Sequence, residues 1–119
     1  MIEVKDIHHV ALMVRDLEKC KNFYGGVLEL KTLERPAFNF PGHWYLVGST
    51  RQLHLMVFDE KIPVTMRHFA IEVADFEQTM KELKSKGIEI VDGPGKRVDS
   101  SDYLFCKDPD GNLIEITHH

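Results

Sequence analysis

Cysteine and long apolar runs are scarce in this sequence, and each scarcity argues against a class of protein. The two cysteines, Cys20 and Cys106, stand far apart without a motif spacing, so we do not expect a disulfide framework. No apolar run approaches the roughly 18 residues that a membrane span needs. The first residues also lack the basic-then-apolar layout of a signal peptide. We therefore expect a cytoplasmic protein that does not span a membrane.

An excess of one charge is lacking as well. The chain has 15 Lys and Arg against 19 Asp and Glu, a net charge of −4 without clustering, so we expect no nucleic-acid partner. With 43% hydrophobic and 29% charged residues, its 119 residues suit one soluble globular domain. The compositional oddity is the presence of seven histidines, of which we assign no function to the terminal His118 and His119.

An internal repeat organises the chain. Residues 9–18 match residues 68–77 at an offset of 59, with His, Ala, Val, Asp and Glu recurring in the same places. In each copy an alternating strand pattern (7–14 and 67–73) runs into an aspartate, Asp16 or Asp75, that is a good helix N-cap. Shorter strand patterns follow each helix. We predict an α+β fold with two βαβββ modules in tandem, 1–60 and 65–119, forming a cup-shaped sheet.

Local signals define the elements of each module. Gln78 lies three residues after Asp75, the spacing of a capping box, and Gly87 stands where a helix often ends in a C′ glycine. In the first helix Gly25 and Gly26 end the helix or loosen its last turn. The predicted later strands are 28–33, 44–48 and 53–58 in the first module, and 88–91, 103–107 and 113–117 in the second. The stretch 92–102 is predicted to be a polar connector, and 108–112 a tight turn.

Strand alternation places four polar side chains on one face. Because successive side chains point to opposite faces, the apolar residues of each strand cover the helix side. The other face then receives His9 and His54 from the first module and His68 and Glu115 from the second. Imidazole and carboxylate together suit zinc, iron, nickel, cobalt and manganese. A carboxylate between two isoleucines is also costly to bury unless it is paired or bound to a metal.

At this point three segments, 7–18, 68–73 and 108–115, resemble the vicinal oxygen chelate superfamily. That superfamily includes glyoxalase I, methylmalonyl-CoA epimerase, fosfomycin- and bleomycin-resistance proteins, and extradiol dioxygenases. The resemblance spans essentially the whole chain and implies one divalent metal ion bound by His9, His54, His68 and Glu115. It also implies a homodimer in which each site combines modules from both chains.

The same resemblance separates the possible activities. Glyoxalase I has a second glutamate where this chain has His54, which argues against a lactoylglutathione lyase. Fosfomycin-resistance transferases have a threonine where this chain has Ala11. Extradiol dioxygenases use two histidines and one glutamate, which His9, His68 and Glu115 would supply with iron. Bleomycin-binding members lack the metal ligands altogether.

Other side chains are candidates for binding the substrate. Aromatic residues surround Pro36 and Pro41, and they form either an apolar wall for a substrate or a lid over the core. Arginines beside them are suited to hold a carboxylate or phosphate. The predicted substrate-binding residues are Arg35, Phe38, Trp44, Arg51 and Tyr103. Glu72 faces the same side; it is either a general base or half of an ordinary salt bridge, and we favour the salt bridge.

The sequence thus predicts a metal-dependent isomerase or lyase of the glyoxalase type. Its small-molecule substrate would present neighbouring oxygens to an ion of nickel, zinc, iron, cobalt or manganese, and Glu115 would be the catalytic residue that moves a proton. The alternatives are an iron(II)-dependent extradiol-type dioxygenase and a non-catalytic protein that binds an antibiotic or another small molecule.

Overall fold

The predicted βαβββ order occurs twice in the computed structural model, which describes residues 1–119. The chain divides into two units, Met1–Glu60 and Lys61–His119. The α+β fold with tandem modules is confirmed. The first unit contains β1 (His9–Val14), α1 (Leu17–Lys21), a π-helical turn (Asn22–Val27), β2 (Lys31–Leu33), β3 (Gly42–Val47) and β4 (Arg51–Val57). The second contains β5 (His68–Glu72), α2 (Phe76–Ser85), β6 (Ile90–Lys96), β7 (Asp102–Lys107) and β8 (Leu113–His118).

Each unit builds one four-stranded sheet with the same topology. The strand orders are β1-β4-β3-β2 and β5-β8-β7-β6. The first strand of each module pairs in parallel with the last, and the remaining pairs are antiparallel. The parallel pair is possible because the helix and two strands lie between its members in sequence. It brings β1 beside β4, and β5 beside β8, the strands that carry the predicted ligands.

The core of each unit follows the predicted alternation. Leu53 and Leu55 on β4, like Ile114 and Ile116 on β8, are fully buried on either side of a polar residue. The helices bury Cys20, Phe23, Tyr24, Phe76 and Leu83 against these sheets. Both cysteines are buried free thiols. Burial raises the pKa of Cys106 to about 11, so its thiol is not reactive at neutral pH.

Both helices begin at the predicted aspartates. The carboxylate of Asp16 accepts a hydrogen bond from the backbone N–H of Lys19, and that of Asp75 accepts one from Gln78. The capping box is only half formed, because the side-chain amide of Gln78 donates to Glu82 instead of reaching back. Gly87 ends α2 at φ 76°, with the N–H of Ile88 donating to the carbonyl of Leu83. This is the Schellman arrangement that a C′ glycine permits.

Glycines alter the backbone at two places, the end of the first helix and the predicted connector in the second module. Gly25 and Gly26 lie in the π-helical turn, so the last turn of the first helix is wider than an α-helix. The prediction that residues 92–102 are a connector was wrong at its start, because β6 runs to Lys96. Register shifts interrupt its pairing with β7 between Ile90, Asp92 and Gly95. Such bulges let a strand continue through a Gly-Pro-Gly segment.

The predicted turn between β7 and β8 is present and is organised by one buried carboxylate. Asp108 accepts hydrogen bonds from the backbone N–H groups of Asp110 and Asn112, and Gly111 has φ 98°. This carboxylate therefore stabilises the turn.

None of the helices is both long and apolar enough to cross a membrane.

Candidate metal centre

His54 is the central polar side chain of the first unit. It lies on β4, where its Cα pairs with Ala11 on β1 and with Trp44 on β3. Its imidazole is 3.9 Å from the Trp44 ring, centroid to centroid, with an interplanar angle of 1°. Burial, assisted by the neighbouring His9, lowers the pKa of His54 to about 4. The ring is therefore neutral at pH 7, the protonation state in which a histidine binds a metal ion.

His9 stacks on the other face of His54. Their ring centroids are 4.1 Å apart at an interplanar angle of 17°. A metal ion lies close to the plane of each imidazole that binds it, and nearly parallel planes do not meet at a common ion. Both rings reach one ion only after one of them rotates. His9 is the exposed ring of the two, and its Nδ1 lies 3.0 Å from that of His8, so His9 has more room to rotate than the buried His54.

The second unit brings His68 and Glu115 into direct contact. Their strands pair in parallel, with Ala70 opposite Glu115. The Nδ1 of His68 lies 2.7 Å from the carbonyl oxygen of Met66, which only accepts, so Nδ1 carries the hydrogen. The Nε2 then lies 3.1 Å from Oε1 of Glu115. Glu115 is only 8% exposed, so this carboxylate needs a positive partner.

This pair fits a divalent cation. With Nδ1 protonated, a neutral His68 directs the lone pair of Nε2 toward a carboxylate oxygen, which is unfavourable unless the ring is protonated or a cation contacts both atoms. For an ion with octahedral coordination, metal–nitrogen and metal–oxygen bonds of about 2.1 Å would place adjacent ligand atoms about 3 Å apart. The observed separation matches that spacing. Neither unit by itself gathers three or more metal-binding side chains.

Arg97 is a neighbour of this pair that the sequence analysis missed. Its Nη2 lies 3.0 Å from the same Oε1 of Glu115, and its guanidinium stacks 4.5 Å above the Tyr103 ring. Tyr103, a predicted substrate-binding residue, therefore lies beside the ligand pair. Arg97 stands in the stretch interpreted as a connector and has no counterpart in the repeat. Arg97 comes close to Tyr103 because β6 continues to Lys96 and pairs with β7, the strand that contains Tyr103.

The predicted substrate-binding residues of the first unit fall into two groups. Arg35, Phe38 and Trp44 lie together, with Arg35 stacked on Phe38 and Phe38 beside Trp44. Arg51 is exposed, and its guanidinium forms a 2.7 Å ion pair with Asp6. Glu72, interpreted as half of a salt bridge, lies 2.9 Å from the Nδ1 of His119.

Comparison with known proteins shows to which family this chain belongs. The model of the Glyoxalase/Bleomycin resistance protein/Dioxygenase superfamily matches residues 6–116. The chain belongs to this superfamily. The vicinal oxygen chelate resemblance predicted from three sequence segments is thereby confirmed, and the superfamily's fold is the one that the two modules adopt.

Relatives within the glyoxalase superfamily carry different names. Glyoxylase I 4 of Arabidopsis thaliana is 30% identical, over 97% of this chain and 71% of that protein. Metallothiol transferase FosB of Staphylococcus saprophyticus is 26% identical, over 95% of this chain and 76% of that protein. The crystal structure of a glyoxalase/dioxygenase from Nostoc punctiforme superimposes with a TM-score of 0.82 at 25% identity, over 96% of this chain and 90% of that one. These names span several chemistries, so the site residues have to distinguish among them.

Proposed function

We propose that this protein is a divalent-metal-dependent isomerase or lyase of the glyoxalase type. Its substrate would be a small molecule with two neighbouring oxygens. The side chains that would hold the ion are His9 and His54 of the first module and His68 and Glu115 of the second. The names of two relatives, a glyoxylase and a metallothiol transferase, support an enzyme and a metal, respectively.

The contact between His68 and Glu115 carries this proposal. A buried carboxylate faces an imidazole nitrogen at 3.1 Å, while the other nitrogen of that ring donates to a backbone carbonyl. Such an outer hydrogen bond fixes the tautomer of a metal-binding histidine and orients its free nitrogen. His54 supports the proposal from the first module, because its burial keeps the ring neutral.

The chemistry of the site then follows from its donor set. When bound, a divalent ion acts as a Lewis acid that stabilises negative charge developing on substrate oxygens. Glu115 is the only carboxylate among the four candidate ligands, so it is the side chain able to accept a proton from a carbon next to those oxygens. Arg97, whose Nη2 lies 3.0 Å from Oε1, forms an ion pair with this carboxylate. Ala11 and Ala70 are small residues on the strands that carry His9 and His68, and they leave room for the substrate.

The proposal includes an assembly and a location. The four ligands are divided equally between the modules, and we propose a homodimer in which each site combines modules of both chains. We also propose a cytoplasmic location, because both cysteines are buried free thiols and not disulfides.

Metal content tests the proposal directly. Protein purified without a chelator and without a polyhistidine tag would be analysed by elemental mass spectrometry, for the wild type and for Glu115→Ala. We expect about one ion per chain in the wild type and at least a tenfold loss in the variant, since a ligand is removed. Glu77→Ala is the matched control, because it removes an exposed carboxylate of the same module from the first turn of α2 and not from a strand that carries a candidate ligand.

The outcomes separate the candidate activities. Nickel, zinc or cobalt would direct assays to isomerase and lyase substrates, whereas iron would direct them to oxygen consumption with a catechol. A wild-type protein that stays empty after incubation with these metals would contradict the metalloenzyme proposal. A non-catalytic binding protein would then be the function to test.

A further inference from the structure

Arg35 is a cation without a counter-ion in the first unit. Its Nη2 donates a 2.9 Å hydrogen bond to the carbonyl oxygen of Phe40, and its Nε is buried without a hydrogen-bond partner. The ion pairs of the structure involve other residues. A partly buried charge without an opposite charge is costly. An anionic ligand would supply the missing charge.

The position of this guanidinium is defined by its surroundings. Its central carbon lies 4.9 Å from the ring centroid of Phe38 and 5.0 Å from that of Phe40. A Cβ atom at Gly42 would clash first with the backbone carbonyl oxygen of Leu55, and it would also lie 2.9 Å from Nη2 of Arg35. The glycine therefore leaves the space that the guanidinium occupies. Two ring contacts and one hydrogen bond hold Arg35 in one orientation.

Aromatic rings continue from Arg35 to His54. The Phe38 and Phe40 rings are 5.4 Å apart, and Phe38 lies 6.0 Å from Trp44. Trp44 in turn stacks on His54. Phe38 is 47% exposed, a high value for a large apolar side chain. These rings present an apolar surface that leads from the unpaired cation to a candidate metal ligand.

We propose that Arg35, Phe38 and Trp44 bind a small carboxylate with a flat apolar body. Arg35 would take the carboxylate, because the planar guanidinium matches the two carboxylate oxygens, and the rings would contact the body. The inference rests on the proposed function, since it names the class of ligand for the surface beside His54. If Arg35 were instead only a brace for the segment 35–42, the site would have no preference for a charged ligand.

The experiment uses Trp44 as its own reporter, because it is the only tryptophan of the chain. Metal-free protein in the presence of a chelator would be titrated with benzoate and with its uncharged analogue benzamide, following tryptophan fluorescence. We expect benzoate to bind about tenfold more tightly than benzamide in the wild type, the effect of a charged hydrogen bond. Arg35→Gln should remove that preference, and Arg35→Lys, which keeps the charge but loses the planar fork, should weaken benzoate several-fold. Arg15→Gln is the control, because this arginine is exposed and pairs with Asp59.

Several results would overturn the inference. These are equal affinities for benzoate and benzamide in the wild type, no response to either ligand, or a full preference in Arg35→Gln. If circular dichroism shows that Arg35→Gln does not fold, Arg35→Lys decides, and an unchanged benzoate affinity there would overturn the inference. Because the titration uses metal-free protein, its failure leaves the metal proposal standing. Conversely, if the protein never binds metal but still prefers benzoate over benzamide in an Arg35-dependent way, the carboxylate site is supported and the metal-dependent function is contradicted.

Discussion

At the scale of single residues, Glu115 is the candidate ligand on which two side chains of its own module converge at one oxygen. One oxygen, Oε1, is contacted both by Nε2 of His68 and by Nη2 of Arg97. A guanidinium against this oxygen stabilises the buried carboxylate when no ion is bound. It contacts the same oxygen, Oε1, that faces His68, so we expect Arg97 and a metal ion to compete for Glu115.

This competition predicts the effect of Arg97→Gln. We expect the variant to bind divalent metal several-fold more tightly than the wild type, because the competing charge is gone. Without metal it should be less stable by about 1 kcal/mol, a modest value because Arg97 is partly exposed. The measurements are competition with a chromogenic chelator and urea unfolding in excess chelator.

The control for Arg97→Gln is another arginine variant, and one result would contradict the proposed competition. Arg15→Gln removes an exposed arginine of the first module and should change neither quantity appreciably. A weaker metal affinity in Arg97→Gln would mean that Arg97 orients Glu115 from outside the metal shell instead of competing with the ion.

The stacked rings of His9, His54 and Trp44 mark the limit of sequence reasoning at this scale. Strand alternation assigns His9 and His54 to a face, because the Cβ direction follows from the backbone. It does not determine side-chain torsions, which depend on contacts with neighbouring rings. The stacking of His54 between His9 and Trp44 was therefore not predictable, nor was the hydrogen bond from its Nε2 to Gln52.

At the scale of elements, the two helix N-termini show how the repeat strengthens local prediction. Asp16 and Asp75 occupy the same place in both copies, and both carboxylates accept the capping hydrogen bond. When the same residue stands at the same place in two copies whose other residues differ, a chance match becomes a poor explanation. Arg97 lacks such a counterpart, and the Gly-Pro-Gly stretch before it favours a loop over the bulged strand β6.

The cap of α2 gives a prediction at this scale. Asp75→Ala removes the acceptor for the N–H of Gln78 and should lower the free energy of unfolding by about 1 kcal/mol. Urea unfolding followed by circular dichroism measures the loss. Asp75→Asn is the matched comparison, because asparagine keeps a side-chain oxygen and is an equally good N-cap. Equal losses in both variants would attribute the effect to the charge near the helix N-terminus, and not to the hydrogen bond.

At the scale of the whole molecule, the repeat of the module explains why each module contains two of the four candidate ligands. The first strand of each module contributes a histidine at the repeated position, His9 or His68. The last strand of each module contributes the second candidate ligand, His54 opposite Ala11 or Glu115 opposite Ala70, so the residue type at this equivalent place differs between the modules. Each module therefore supplies half of a candidate site, and assembly decides which halves are combined.

The proposed homodimer can be tested by mixing two variants that are each expected to lose metal binding. His9→Ala damages only the first module, and Glu115→Ala only the second. If each site combines modules of different chains, a mixed dimer contains one site with both defects and one site with neither. Mixed dimers isolated with two different peptide tags, neither containing histidine, should therefore bind about one ion, while each parent dimer binds far less. Light scattering would first establish the dimer. Mixed dimers as empty as their parents would mean that each site forms within a single chain.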